Sequence, residues 1–146
     1  MDKFWYNFNF KGDIKVHNVK IEKELTVTTP NEPGILGRVL GTLANAGVNL
    51  KAVCAYAEQE KGTFHLITSG PEKAKKCLED IGYKVKIIDV VTVLIDDRIG
   101  AGAEIGALLG NAVIDIDYCY GSSAGLGKAL LVFRTTNNKK ALETLE

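Results

Sequence analysis

An internal repeat constrains this chain more than any other feature. Shifted by 66 residues, the sequence falls on itself: Asn31 on Asp97, Gly34 on Gly100, Asn49 on Asp115, Val39 on Ile105 and Leu43 on Leu109. The same shift sets Phe64 on Leu130 and Leu66 on Val132. Apolar positions correspond where identities have diverged, as expected of two units that share one fold. A chain of 146 residues then holds one ordinary domain, or two very small ones sharing a core.

The order of elements follows from periodicity. Leu25 and Val27 among threonines make a strand, which Pro30 to Gly34 break. Ile35, Leu36, Val39, Leu40 and Leu43 then recur at helical spacing. Asn45-Ala46-Gly47 stops that helix. Val48, Leu50, Ala52 and Cys54 alternate, Glu58 to Gly62 turn, and Phe64, Leu66 and Ile67 return as a hairpin partner. Pro71 opens a second helix that Gly82 ends, and Tyr83 to Val90 form the last strand. The order is β-α-β-β-α-β. It restarts with a strand at 90–95, a loop at 96–100, a helix at 101–109, strands around 114–120 and 130–133, and a helix at 137–145. The second unit's last strand would fall beyond residue 146, so the N-terminal segment is expected to supply an edge strand in its place. The expected organisation is an N-terminal extension at 1–22, a first unit at 23–90 and a diverged second unit at 91–146. Within the extension, Phe4, Tyr6, Phe8 and Phe10 alternate as a strand, with a turn at Gly12-Asp13.

Composition excludes several classes. The 18 basic and 18 acidic residues balance, which disfavours nucleic-acid binding through phosphate contacts. The start, Met1-Asp2-Lys3-Phe4, has no apolar run of the signal-peptide kind, and no segment approaches the ~20 apolar residues of a membrane helix. Cys54, Cys77 and Cys119 are odd in number and widely spaced, which points to a reducing cytoplasm.

Thr29-Pro30-Asn31-Glu32-Pro33-Gly34-Ile35-Leu36, followed by Leu43 to Leu50 with Gly47-Val48-Asn49, resembles the ACT domain signature. In that family a strand runs into an N-x-P-G-x-L loop and a helix, and G-x-N-hydrophobic opens the second strand. The resemblance is close over 24–90 and rests mainly on the repeat over 91–146. It implies an α+β fold of two ferredoxin-like βαββαβ units. Antiparallel sheets, as two of four strands or one of eight, would carry helices on one face. It also implies a stand-alone tandem ACT protein without a catalytic domain, an allosteric amino-acid sensor that forms a homodimer and regulates an unidentified enzyme. No cofactor or metal is implied.

The residues of the motif supply their own chemistry. Pro33 fixes its φ, and Gly34 lets the chain turn sharply into a helix. First-turn amides then lie bare at the positive end of the helix dipole, a place suited to a carboxylate. Asn31 and Asn49 each offer a donor and an acceptor to a zwitterion. In serine-sensing phosphoglycerate dehydrogenase, a member of the family, asparagines at the matching positions contact the effector across a subunit interface. The resemblance therefore implies a ligand site walled by Asn31, Pro33, Gly34, Ile35, Leu36, Val48 and Asn49. A second, altered site falls at Asp97, Arg98, Gly100 and Asp115, where two aspartates would repel a carboxylate unless Arg98 offset them.

Gly100 to Gly106 superficially resembles a dinucleotide fingerprint, but too little chain follows to finish such a fold. Gly121 to Lys128 has the wrong spacing for a phosphate loop and no metal-binding hydroxyl after the lysine. His17 and His65 lack metal-ligand spacing, with His65 expected on the solvent side of its strand. Cys54 and Cys119 are expected to be buried as small hydrophobes. Two rival functions remain. One is an RNA-binding module using Tyr56, Tyr118 and Tyr120. The other is a small enzyme using Asp96, Asp97 and Asp115.

Overall fold

A computed structural model describes residues 14–146. The aromatic strand and turn read from Phe4 to Asp13 lie outside the described residues. The elements are β1 (Val16–Pro30), α1 (Ile35–Asn45), β2 (Leu50–Glu58), β3 (Lys61–Thr68), α2 (Pro71–Asp80), β4 (Lys84–Asp96), α3 (Ala101–Asn111), β5 (Ile116–Ser123), β6 (Lys128–Thr135) and α4 (Asn138–Leu145). Contacts divide the described chain into a first unit, residues 22–89, and a second, residues 90–146 with 14–21.

Each unit has four strands although the described chain has six, because β1 and β4 contribute to both. Strand order is β2-β3-β1-β4 in the first unit and β1-β4-β6-β5 in the second. β1 begins at Val16 rather than near residue 24, and β4 runs unbroken where the periodicity suggested two strands. In the second unit the early part of β1 lies beside β4. The Asp96 amide donates to the Lys15 carbonyl at 3.2 Å, and the Thr92 hydroxyl donates to the Lys20 carbonyl at 3.5 Å. His17 hydrogen-bonds the Asp96 carboxylate, and that bond with the nearby positive charges holds Asp96 below the usual carboxylate range.

The repeat is visible in the backbone and corrects the alignment. Both second-type strands slip register at the same step, Leu50/Ala52 and Ile116/Tyr118. Beyond that strand the offset grows by one: Val27 faces Phe64 while Val93 faces Leu131. Phe64 therefore corresponds to Leu131, and Leu66 to Phe133, not to Leu130 and Val132. The cause is the hairpin. Gln59-Glu60 suffice between β2 and β3, whereas residues 124–127 join β5 to β6, with Gly125 and Gly127 at φ 74° and 78°.

Both β-to-α turns use the same device. Gly34 and Gly100 each stand at φ 87°, in the left-handed region that side chains rarely adopt. The first helices end alike too, with Val48 N donating to Leu43 O at 2.9 Å and Ile114 N to Leu109 O at 3.0 Å. Gly47 takes the left-handed position at φ 73° after α1, but after α3 that position is held by Val113 at φ 57°, 74% exposed.

Helices cover one face of each unit's sheet. Leu25, Val27, Phe64 and Leu66 of the first unit pack with Val39 and Leu43 of α1 and Ala74 and Leu78 of α2. In the second unit Val91, Val93, Ile95 and Phe133 pack with Ile105 and Leu109 of α3 and Ala141 and Leu145 of α4. Each fully buried aliphatic side chain contributes about 1.5–3 kcal/mol.

The other face of the first unit is buried along β3, which corrects the expectation for His65. Thr63 to Thr68 are all buried, and His65 is 4% exposed. Its Nδ1 lies 3.2 Å from Oε1 of the fully buried Glu24 and 3.4 Å from the Thr26 hydroxyl, and its Nε2 lies 3.2 Å from the Tyr56 hydroxyl. Alternation with Phe64 and Leu66 assigned His65 to the right face, but the inference that this face meets water was wrong. The second unit puts Val90 and Val132, both fully buried, at the matching places. Cys119 is exposed and Cys54 half-buried, so neither is the buried hydrophobe expected. Partial desolvation raises both thiols above their ordinary pKa, with nearby Glu24 adding to the effect at Cys54.

Two stability predictions follow from the comparison of units. Val113→Gly should stabilise the protein by about 1 kcal/mol, seen as a higher urea midpoint at unchanged slope, because it relieves a β-branched residue in the left-handed region. An unchanged or lower midpoint would show that Val113 is not strained. Glu24→Val or His65→Val alone should cost about 3 kcal/mol or more by stranding a buried polar partner. The double variant, which copies Val90 and Val132, should recover most of that loss in the same unfolding measurement.

Candidate functional site

The start of α1 is built by residues 31–38. Asn31 leaves β1, its amide donating to the Glu60 carbonyl at 2.8 Å and its Nδ2 to the Gln59 carbonyl at 2.9 Å. The loop is thereby tied to the β2–β3 turn. The Ile35 amide donates to the Glu32 carbonyl at 3.2 Å, and the Arg38 amide closes the first helical bond on Gly34 at 3.0 Å. Between them, the amides of Leu36 and Gly37 have no helical carbonyl four residues back. No side chain caps this helix, and its first turn holds no acidic residue. Arg38 reaches back to Glu32, Nη1 to Oε1 at 3.2 Å, with both groups well exposed. The result is a solvent-facing set of backbone donors with balanced charge beside the Asn31 carboxamide.

Of the residues expected to wall the site, Asn31, Pro33, Gly34 and Leu36 are exposed here and Ile35 is half-buried. Val48 lies in the core instead. Asn49 is exposed at the start of β2, its amide donating to the Ser69 hydroxyl and its carbonyl accepting from the Ser69 amide, each at 2.9 Å. Asn31 therefore adjoins the beginning of β3 and Asn49 the end of it. Eight residues of strand separate them, on the order of 26 Å. The first unit does not by itself bring the two asparagines together.

The second unit repeats this frame with different chemistry. The Asp97 amide donates to the Gly127 carbonyl at 3.0 Å, matching Asn31 and Glu60. Ser123 donates its hydroxyl to the Asp97 carboxylate and accepts from the Gly125 amide at 3.1 Å. The ion pair at the helix start is reversed. Arg98 in the loop holds Glu104 on α3 at 2.7 Å, where the first unit has Glu32 in the loop and Arg38 on the helix. Glu104 is only 6% exposed. Gly100 caps α3 as Gly34 caps α1. Asp115 lies at the far end of β6, its carbonyl accepting from the Thr136 amide at 3.0 Å.

The rival constellations are not assembled. Asp96 is engaged by His17 and Asp97 by Ser123, while Asp115 stands at the opposite end of the strand. Tyr56 lies on β2, and Tyr118 and Tyr120, with rings 6.5 Å apart, on β5. These strands flank their units rather than lying at the centre, where an RNA-binding sheet displays its aromatics. A groove along α2, lined by Glu72, Lys75, Lys76, Glu79 and Asp80, is a solvated face of mixed charge. Among the described residues no three His, Cys, Asp or Glu side chains could share a metal, and no helix is long and apolar enough to cross a membrane.

Sequence reasoning missed two features of this region: the tie from Asn31 to the β2–β3 turn, and the Arg98–Glu104 pair. The second was readable, since 66 residues separate Glu32 from Arg98 and Arg38 from Glu104, and each pair exchanges charge.

Comparison with known proteins agrees with this geometry. A family model described as an ACT domain pair matches residues 20–145. A crystal structure of a protein from Bacteroides thetaiotaomicron is 31% identical, covering 87% of this chain and 88% of that one, with a TM-score of 0.81. The ligand-free regulatory subunit of aspartate kinase from Thermus thermophilus is 13% identical, covers 90% of this chain and 95% of its own, and has a TM-score of 0.68. Its counterpart from Thermus flavus is 15% identical over 89% and 95%, with a TM-score of 0.59. The two aspartate kinase subunits share the fold alone. No curated protein matches the sequence. Two βαββαβ units, each entering its first helix through a left-handed glycine, and a family match spanning both, place this chain in the ACT domain pair family.

Proposed function

We propose that this protein is a ligand-binding regulatory module, that its ligand is a free amino acid, and that it acts without catalysing a reaction. The observation that carries this reading is the start of α1: two bare amides, no capping side chain, balanced charge, and a carboxamide fixed beside them. A ligand carboxylate is matched to the amides and to the positive end of the helix dipole. Its ammonium group then finds acceptors in Asn31 and Asn49, which can take a zwitterion without burying a fixed charge. Regulatory subunits of aspartate kinase among the structural neighbours are consistent with such a role.

Because Asn31 and Asn49 stand at opposite ends of β3, one small ligand meets both only when Asn49 comes from a second chain. The reading therefore includes a homodimer, with Asn49 of one copy completing the loop of the other. The exposed edge of β2, on which Asn49 sits, favours pairing in the same way.

A thermal-shift screen of the twenty amino acids tests the ligand. A true ligand at a hundred times its Kd should stabilise the native state by about 2.7 kcal/mol. The Asn31→Ala, Asn49→Ala double variant should lose that shift, read against its own unliganded melting temperature, which loss of the Asn31 Nδ2 bond to Gln59 should lower slightly. A shift that survives in the double variant, or no shift with any amino acid, defeats the reading. Light scattering at micromolar concentration should give twice the chain mass; a monomer would remove the shared site.

A further inference from the structure

The side of β3 that faces away from the helices carries a chain of three polar groups that the ligand reading does not use. Glu24 on β1 is fully buried, His65 on β3 is 4% exposed, and Tyr56 on β2 is 46% exposed. His65 Nδ1 lies 3.2 Å from Glu24 Oε1, and His65 Nε2 lies 3.2 Å from the Tyr56 hydroxyl. Strand pairing fixes this order. β3 lies between β1 and β2, with His65 opposite Thr26 on one side and Cys54 on the other, and Tyr56 follows two residues after Cys54. The set runs outward, from a carboxylate sealed in the sheet through an imidazole to a phenol that meets water.

The partners also settle the ring proton. Nδ1 faces the Glu24 carboxylate and, at 3.4 Å, the Thr26 hydroxyl oxygen. An ionised carboxylate only accepts, so Nδ1 carries the proton and the Nε2 lone pair is left for the Tyr56 O–H. This is the acid–imidazole–hydroxyl order that makes a hydroxyl nucleophilic: the carboxylate orients the ring and stabilises its cation while the ring takes the hydroxyl's proton. Cys54 also stands opposite His65, but burial and the nearby Glu24 charge push its thiol up, which leaves little thiolate. In the second unit Val90 and Val132 replace the acid and the imidazole, and Ser122 stands where Tyr56 does.

We infer that Tyr56 is an activated phenol, a site of covalent acylation by activated acyl esters and thioesters, with His65 as its base and Glu24 as the residue that positions His65. In that step Tyr56 Oη forms a bond to the acyl carbon, and the bond from that carbon to its leaving oxygen or sulfur breaks. The phenolic proton passes to His65 Nε2 and from there to the leaving group. Nothing is oxidised or reduced. The product is one aryl ester per chain on β2, a stoichiometric modification that stands apart from whatever the start of α1 receives.

The test treats the full chain with p-nitrophenyl acetate, quenches in acid, and places the acetyl groups by peptide mass spectrometry. N-acetyltyrosinamide in the same solution is the reference. Its phenol is fully exposed, so accessibility alone favours it over Tyr56. Tyr56 should acetylate about a hundredfold faster than the reference, the lower end of what a positioned general base supplies. Its rate should also drop in deuterium oxide, because a proton moves in the step. His65→Gln, which has no basic nitrogen, should bring Tyr56 down to the reference rate or below. Glu24→Gln, which keeps an acceptor for Nδ1 but removes the charge, should bring it part of the way. Circular dichroism establishes that each variant is folded. A wild-type Tyr56 that reacts no faster than the reference, or at the same rate in deuterium oxide, overturns the inference without recourse to variants. A folded His65→Gln or Glu24→Gln chain that keeps the wild-type rate at Tyr56 overturns it as well.

Discussion

Each unit turns from its first strand into its first helix through one glycine at φ 87°. The left-handed backbone at Gly34 and Gly100 reverses the chain within a residue and drops the helix onto the sheet. Val39 and Leu43, or Ile105 and Leu109, then meet the apolar side of the strands. The same turn leaves the following amides without carbonyl partners. The seating of the helix and the bare first-turn amides therefore come from the same turn. A residue with a Cβ at either position would strain the turn that seats the helix, whatever room surrounds it.

Most of the architecture was legible because it depends on local signals that the repeat states twice. Pro33-Gly34 and Asn45-Ala46-Gly47 bracket α1, and Pro71 and Gly82 bracket α2. What failed depended on information that no single strand holds. Alternation placed His65 opposite Phe64 and Leu66, but only tertiary context says whether the opposite face is wet. The shift from Leu130 to Leu131 as partner of Val93 turned on the length of one glycine-rich hairpin. For the proposed site, the sequence pointed to the loop before α1 and to Asn31 and Asn49. It did not reveal that β3 holds those asparagines apart, because separation along a strand follows from register rather than from motif.

Divergence between the units has been uneven, and the physics of each position explains the pattern. The first unit keeps glycine after α1, while the second tolerates Val113 in the same left-handed conformation where the side chain reaches water. At the start of the last helix, Asn137 accepts from the Lys140 amide, and the Thr135 hydroxyl finds Asn138. Gly70 and Pro71 offer no such side chains, and the buried hydroxyl of Thr68 finds no partner among the described residues. On the sheet, a buried acid and imidazole replace two valines. Backbone geometry survives all these exchanges: φ and ψ are −150° and 82° at Gly70 and −151° and 84° at Asn137. The fold is carried by backbone and apolar pattern, and polar side chains are free to change what each copy binds.

That freedom accounts for why a regulatory module would be built from two units. A single βαββαβ unit that binds a metabolite at its helix start has little surface left to report the event. A second unit with the same backbone carries different polar groups at its helix start, Asp97, Arg98 and Glu104. Selection can then act on its loops separately. Ile99 and Leu126 are almost wholly exposed on the loops that precede α3 and β6. In the first unit the Asn31 tie links the loop before α1 directly to the turn at Gln59, itself held at φ 54°.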